Sequence, residues 1–371
     1  MRVLVTGGSG FLGRHVVRSI LARGHSVVVL VRPSRASAVR IEGAEVAAGD
    51  LRLPRTLAAA LEGVDAVVHL AACVVGDEET QFHNTVVGTE NLLAAMAAAG
   101  VYRLVHCSSF SVYDWRAARR SLDETTPLES DRLYQRDGYA IAKTWQERVV
   151  RRWAEANDAR LTVLRPGFIW GAGKERLACI GQELGPLDVI FGPLRETPIT
   201  YVENCADAFA LALDRDDAVG ATLNVIDDER VSAWRYAAEL RRRLGIKKLG
   251  VPAPYAAVMA MGLAATLVSR SLFPSGGKLP GVLMPLRSRA RFAPHRFPND
   301  RLKETLGWAP RWGFAEAWDR CVAKDAENNV DVASVEAPVA ERKAPAERTP
   351  SERSAPAIAR RSAELSEAAH A

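Results

Sequence analysis

Tyr139 and Lys143, in the run Tyr139-Ala140-Ile141-Ala142-Lys143, are spaced to move a proton. On a helix, four residues' separation puts phenol and ammonium one turn apart on the same face. A free tyrosine titrates near pH 10, about three units too high for a base at neutrality. A neighbouring cation favours phenolate, so Lys143 is expected to lower the Tyr139 pKa and poise it for proton transfer. The pattern alone is common by chance; its surroundings give it weight. The preceding run Leu104–Tyr113 reads as a strand that ends in hydroxyls at Ser108, Ser109 and Ser111. At a strand's carboxyl end such a hydroxyl could hydrogen-bond a substrate carbonyl, or simply satisfy the backbone of a turn.

A second cluster would hold phosphates. Thr6-Gly7-Gly8-Ser9-Gly10-Phe11-Leu12-Gly13 lies between a strand-like and a helix-like segment. Gly7, Gly10 and Gly13 suit a turn that visits positive φ and lets a pyrophosphate approach. The helix opening at Phe11 and Leu12 would aim free N–H groups and its positive dipole end at those phosphates. About 20 residues on, an NAD binder usually offers an acid to the ribose hydroxyls. Here the stretch is Leu30-Val31-Arg32-Pro33-Ser34-Arg35, with two arginines and no acid. A guanidinium fork suits a 2′-phosphate, so Arg32 favours NADP over NAD, unless it merely caps a surface loop.

These residues need a scaffold. Strand-like runs lie at Arg2–Thr6, Ser26–Val31, Ala44–Gly49, Ala66–Ala71, Arg103–Cys107 and Leu161–Leu164, with helix-like segments at Phe11–Ala22, Leu57–Leu61, Asn84–Ala99 and Tyr139–Ala156. Short apolar strands alternating with helices predict an α/β fold: a doubly wound parallel sheet, the Rossmann arrangement, with its crevice beyond the strands' carboxyl ends. After residue 172 regularity thins, although Val202–Leu213 and Ala233–Leu244 read as helices and Thr222–Ile226 as a strand. The expected division is a dinucleotide-binding core over 1–171, a smaller, mostly substrate-binding lobe over 172–329 with 201–226 returning to the core, and a tail over 330–371. That tail is rich in Ala, Pro, Ser, Glu and Arg and has no aromatic residue, which predicts disorder.

Composition narrows the class. The 371 residues carry 49 basic and 44 acidic side chains, a formal +5 that is too small and dispersed to argue for nucleic acid. Five scattered cysteines without a CxxC pair argue against disulfides and zinc, and no histidine pair has metal-ligand spacing, so no metal site is assigned. The opening Met1-Arg2-Val3-Leu4-Val5 reads as a strand and not a secretory leader, an expectation of cytoplasmic location. Leu249–Ser269 contains no charge and has bilayer-spanning length, but Gly250, Pro252, Pro254 and Gly262 interrupt it. It reads as a buried or substrate-facing helix, with peripheral membrane contact as the alternative. Arg287, Arg289 and Arg291 alternate as residues on one strand face do, or as a solvated basic loop.

At this point the chain resembles the extended short-chain dehydrogenase/reductases, which include the NAD-dependent epimerase/dehydratases. The resemblance runs from Arg2 to about Arg320 through TGGSGFLG (6–13), GDL (49–51), HLAA (69–72), NTVVGT (84–89), SSFSVY (108–113), YAIAK (139–143), RPGFIWG (165–171), YVENCADA (201–208) and the LGWAP close (306–310). It implies Ser109, Tyr139 and Lys143 as catalytic residues and Asn84 as a support for the lysine through water. It implies Asp50 and Leu51 at the adenine, Ala71 and Ala72 lining the cofactor, and Pro166 beside the nicotinamide. Phe110 and Ser111 stand where sugar dehydratases carry an Asp-Glu pair, which argues against elimination. The VRPSR stretch and the YVEN motif look more like the dihydroflavonol reductase and 3β-hydroxysteroid dehydrogenase branches.

The resulting expectation is an NAD(P)-dependent oxidoreductase that interconverts a secondary alcohol and a ketone on a small apolar substrate, as a monomer or a homodimer. A nucleotide-sugar epimerase using the same three residues is the alternative. A non-catalytic nucleotide sensor on this fold is a third reading, opposed by the intact Ser109, Tyr139 and Lys143.

Overall fold

The computed structural model describes residues 1–272 and 281–332. Seven strands form one parallel sheet: β1 (Arg2–Thr6), β2 (Ser26–Val31), β3 (Ala44–Ala48), β4 (Ala66–His69), β5 (Arg103–Cys107), β6 (Arg160–Pro166) and β7 (Thr222–Val225). Their spatial order is β7-β6-β5-β4-β1-β2-β3, every neighbouring pair parallel. The chain therefore reverses direction across the sheet between β1 and β4, which opens the ligand crevice expected of a doubly wound fold. Helices α1 (Phe11–Ala22), α2 (Gly88–Ala98), α3 (Gly138–Ala156) and α4 (Val202–Asp214) cover its faces.

Strand period sorts the core into two halves. Val3 and Val5 of β1 pack with Val17 and Ile20 of α1, Phe209 of α4 and the distant Trp308. Leu4, between them, faces the other way and meets Leu92 and Met96 of α2 and Val150 of α3. Because strands in such a sheet are buried on both faces, they read as unbroken apolar runs.

A further apolar cluster, which straddles the expected boundary at residue 171, centres on Trp170, whose ring centroid lies 4.9 Å from that of Trp318 and 5.6 Å from that of Tyr236. Gly181–Leu184, Leu187–Phe191 and Leu249–Ala253 form a three-stranded sheet that the sequence patterns did not indicate. Two expectations are corrected here. The uncharged run at 249–269 is not one helix: its first five residues pair in parallel with Leu187–Phe191, and Pro254 separates them from a helix at Tyr255–Leu272. That helix is not buried, since Met261, Leu263, Leu267 and Val268 are each more than half exposed. Among the described residues no helix is long and apolar enough to cross a membrane. Arg287, Arg289 and Arg291 lie on a helix, Pro285–Phe292, and not on a strand. At 100° per residue, Arg287 and Arg291 share a face and Arg289 turns away. The tail read from residue 330 lies, beyond Val332, outside the described residues.

A buried ion pair pins α3 to the sheet. Glu147 is fully buried, and Arg165 of β6 grips it through Nε at 3.0 Å and through Nη2. Ser108 donates to the same carboxylate, and Arg151 donates at 2.8 Å. Burial pushes the Glu147 pKa up, but the Arg165 bonds, with Arg151 and Ser108, outweigh it and hold the value at about 2. A depressed carboxylate pKa stabilises the fold above the unfolded value and stops doing so as pH falls through the folded one. Stability should therefore decline between about pH 4.5 and 2. Glu147→Gln leaves Arg165 buried without a countercharge, which should cost about 3–5 kcal/mol at neutral pH and flatten that acid limb. Denaturant titrations of both proteins from pH 7 to pH 3 check this; equal stability at neutrality contradicts it.

Candidate active site

The glycine turn follows β1 directly. Gly7 has φ of 72°, and a Cβ there would meet the Ala71 backbone N at 3.0 Å. A Cβ on Gly13 would fall 2.1 Å from the Gly7 carbonyl oxygen, so the first turn of α1 can approach the loop only with glycine at that position. Gly10 is exposed and caps α1 with extended backbone, which leaves the N–H groups of Phe11, Leu12 and Gly13 without helical acceptors. Leu12 packs its side chain into both neighbouring cores, and Phe11 lies beneath the Lys174 ammonium at 5.2 Å. Free donors, a helix dipole and a floor without side chains fit a dinucleotide's pyrophosphate.

The other expected cofactor residues surround this turn. Ala71 and Ala72, half-buried, follow β4 beside Gly7, and buried Pro166 ends β6 in register with Val225. Arg32 is exposed at the end of β2, where it caps a short helix, Pro33–Ala36. Asp50 is buried and binds Arg52 through Nε at 3.0 and 3.1 Å and Nη2 at 2.6 Å. Those bonds lower the Asp50 pKa, with a smaller contribution from the Arg32 charge. Arg52 thus joins Arg32 in one basic corner; it was missed although it stands two residues past Asp50. Leu51 holds α2 through its carbonyl, which accepts from Asn91 Nδ2 at 2.7 Å.

Ser109, Tyr139 and Lys143 come together at the end of β5. Ser108 points inward to Glu147, and Ser109, with φ of −165°, takes the opposite side as the next residue of an extended chain must. The Ser109 hydroxyl accepts from the Ser111 N–H at 3.1 Å. Asp137 caps α3 by accepting from the Ala140 N–H at 3.0 Å, which fixes Tyr139 in the helix's first turn. Lys143 is buried, and its Nζ donates to the Cys107 carbonyl and to Gln146 Oε1. Burial lowers the Lys143 pKa, against the influence of Cys107 and Glu147. The expected lowering of the Tyr139 pKa is corrected: burial raises it, the Ser109 hydroxyl only partly opposes this, and the ammonium is directed to other partners. Asn84 sits in a wide π-helical turn, His83–Val87, and its Nδ2 faces Cys73 Sγ at 3.7 Å. The direct side-chain partner of the lysine is Gln146, three residues along the same helix face, a spacing that sequence inspection could have flagged.

Arginines and carboxylates gather around the residues just before Tyr139. Arg136, buried, donates to the carbonyls of Ser111 and Tyr113 and so shapes the loop after Ser109. Arg287 Nη2 donates to the Arg136 carbonyl at 3.0 Å and lies 3.8 Å from Glu78, while Arg291 lies 3.9 Å from Asp137. Arg289 Nε donates away from that face, to the Trp115 carbonyl at 3.2 Å.

Comparison with known proteins identifies the family. Residues 3–225 match the model of the NAD dependent epimerase/dehydratase family. A 2-alkyl-3-oxoalkanoate reductase of Stenotrophomonas maltophilia is 35% identical over 58% of this chain and 66% of its own length. A 3 beta-hydroxysteroid dehydrogenase/Delta 5-->4-isomerase of Mycobacterium tuberculosis is 30% identical over 86% of this chain and 89% of its own. The solved structure titled "Crystal structure of gox2253" superposes with a TM-score of 0.71 at 27% identity, covering 88% of this chain and 98% of that one. The chain belongs to the NAD dependent epimerase/dehydratase family and is an NAD(P)-dependent oxidoreductase, an extended short-chain dehydrogenase/reductase.

Proposed function

We propose that the protein interconverts a secondary alcohol and a ketone with NADP(H), on an apolar substrate that carries a carboxylate on the carbon next to the reacting one. The observation that carries the chemistry is the hydrogen bond between Ser109 and Tyr139, with buried Lys143 one turn on and tied through Gln146 to the Ala71 loop beside the glycine turn. When bound, the nicotinamide exchanges hydride with the carbinol carbon. Ser109 donates a hydrogen bond to the substrate oxygen, and Tyr139 gives or takes its proton. Because burial raises the Tyr139 pKa, the residue is a phenol near neutrality, the form that ketone reduction needs. Alcohol oxidation needs phenolate and gains as pH rises. An epimerase would employ the same residues without releasing its cofactor; relatives named as a reductase and a dehydrogenase favour net oxidoreduction.

Arg32 and Arg52 at the end of β2 and after Asp50 support the 2′-phosphate of NADP. The carboxylate rests on Arg287 and Arg291, which reach the residues just before Tyr139. A 2-alkyl-3-oxoalkanoate has its carboxylate placed to meet them. The exposed apolar face of the helix Tyr255–Leu272 supports peripheral membrane contact, a route by which apolar substrates could arrive.

Tyr139→Phe removes only the hydroxyl, so NADPH binding should persist while turnover of a 2-alkyl-3-hydroxy acid or a 3β-hydroxysteroid falls by about 10² or more. Turnover within a few-fold of wild type contradicts the assignment. Arg32→Asp removes a charge-assisted contact and adds repulsion, so the NADP-over-NAD preference, read by calorimetry, should fall at least about tenfold. Wild type that prefers NAD, with no change in the variant, makes Arg32 a loop residue. For the carboxylate, 2-methyl-3-hydroxydecanoate should show a KM about tenfold or more below that of its methyl ester, and Arg287→Gln with Arg291→Gln should erase the difference. Equal KM values in wild type rule out the carboxylate.

A further inference from the structure

Gln146 is fully buried between the lysine and the loop that follows β4. Its Oε1 accepts from Lys143 Nζ. Its Nε2 lies 3.1 Å from the Ala71 carbonyl oxygen, 2.8 Å from Thr89 Oγ1 and 3.1 Å from His69 Nε2. A carboxamide has one end that accepts and one that donates, and here each end faces its complement. A flip would set the NH₂ group against the ammonium and the oxygen against the Ala71 carbonyl, two repulsions in a dry interior. The side chain is therefore locked in one orientation.

The partners on the far side are locked as well. Thr89 donates to the Thr85 carbonyl at 2.6 Å, so its oxygen is free to accept from Gln146. His69 contacts Thr6 Oγ1 at 2.6 Å and Thr89 Oγ1 at 2.8 Å. Burial, with the Lys143 charge, holds the His69 pKa at about 3, so it is a neutral ring that brings no competing charge. The chain of contacts runs from Lys143 through Gln146, Thr89 and His69 to Thr6, the residue that ends β1 where the glycine turn begins.

An ammonium has three N–H donors. The Cys107 carbonyl takes one and Gln146 takes another, which leaves a single donor whose direction is set by the first two. We propose that Gln146 is the positioning residue of Lys143: it holds the ammonium so that its remaining N–H is left for the cofactor ribose, and it ties that direction to the Ala71 loop. This inference rests on the reading of Lys143 as a residue that holds the cofactor ribose. It adds that a neutral acceptor keeps Lys143 charged in a site whose burial opposes charge.

The test reads the protonation of the lysine without needing a substrate. The titratable groups around the ammonium are Cys107 and His106 from β5, His69 from β4, and Tyr139 and Glu147 from its own helix. NADPH dissociation constants are measured by fluorescence from pH 6 to pH 10.5 for wild type, Lys143→Met, Gln146→Met, Gln146→Leu and Gln146→Glu, with a melting temperature at each pH. Affinity in wild type should weaken as Lys143 loses its proton, and Lys143→Met should remove that transition. Loss of the acceptor in Gln146→Met or Gln146→Leu should move the midpoint down by about one pH unit or more. A carboxylate in Gln146→Glu should move it up. Opposite shifts identify positioning, because a merely structural role lowers the melting temperature and leaves the midpoint in place. Should the leucine variant not fold, the methionine and glutamate variants decide. Wild-type midpoints in all folded Gln146 variants overturn the proposal alone. A transition that survives in Lys143→Met overturns the reading of Lys143 and the proposal with it.

Discussion

The Glu147–Arg165 pair fixes the rotation of α3, and the reactive residues hang from that helix. Two charges taken out of water tolerate only a narrow geometry, because each lost bond leaves an ion unsolvated. The pair therefore sets α3 against β6 to within a fraction of a turn. Tyr139, Lys143 and Glu147 follow one another at four-residue steps along one side of α3, with Gln146 flanking it, so their directions follow from the same constraint. The clamp also reaches the loop after β5. Ser108 turns inward to bond Glu147, and the alternation of an extended chain then delivers Ser109 to the opposite side, over the crevice. One buried carboxylate thereby orients both halves of the site.

The polar interior continues beyond this pair. Arg165 lies 4.6 Å from the Tyr113 ring centroid, Tyr113 donates to Asn224 Oδ1 at 2.6 Å, and Glu124 accepts from the Asn224 N–H at 2.7 Å. The long connection between β5 and α3 is thus tied to β7 at the sheet's edge. Such networks are weak contributors to stability and strong contributors to specificity of arrangement, since an alternative packing strands several buried polar groups at once.

Much of this was legible in the chain itself, where the physics was local. The turn after β1 announces itself because a Cβ at Gly13 has no room, and the Tyr139–Lys143 spacing because a helix converts it into adjacency. The inner strands were readable as largely apolar runs because both faces of the sheet are covered there, whereas β3 at the edge stays partly exposed. Where the physics was long-range, the sequence was silent. Arg287, Arg289 and Arg291 are two apart, a spacing that a strand and a helix both allow; Pro285 at the first turn and packing decided for the helix. The strand Leu249–Ala253 depends on a partner some 60 residues earlier in the chain, and its prolines hid it. Gln146 looked like any polar residue on a helix face, because its partners in the loop after β4 and on α2 lie 75 and 57 residues away. The effect of Lys143 on Tyr139 was misjudged for a related reason: pairwise charge was legible, and depth of burial was not.

The central position of β1 bears on how the chain is made. β1 leaves the ribosome before the other six strands of its sheet, pairs with β2 and with β4, and has its outward core closed by Leu302, Leu306 and Trp308, some 300 residues later in the chain. At about 5–20 residues per second, roughly 15–60 s of synthesis separate the two. Throughout that interval the apolar surface around Val3, Val5 and Val29 lacks its last cover. That half of the core therefore cannot close until the last of these residues has been made, however early its strands are in place.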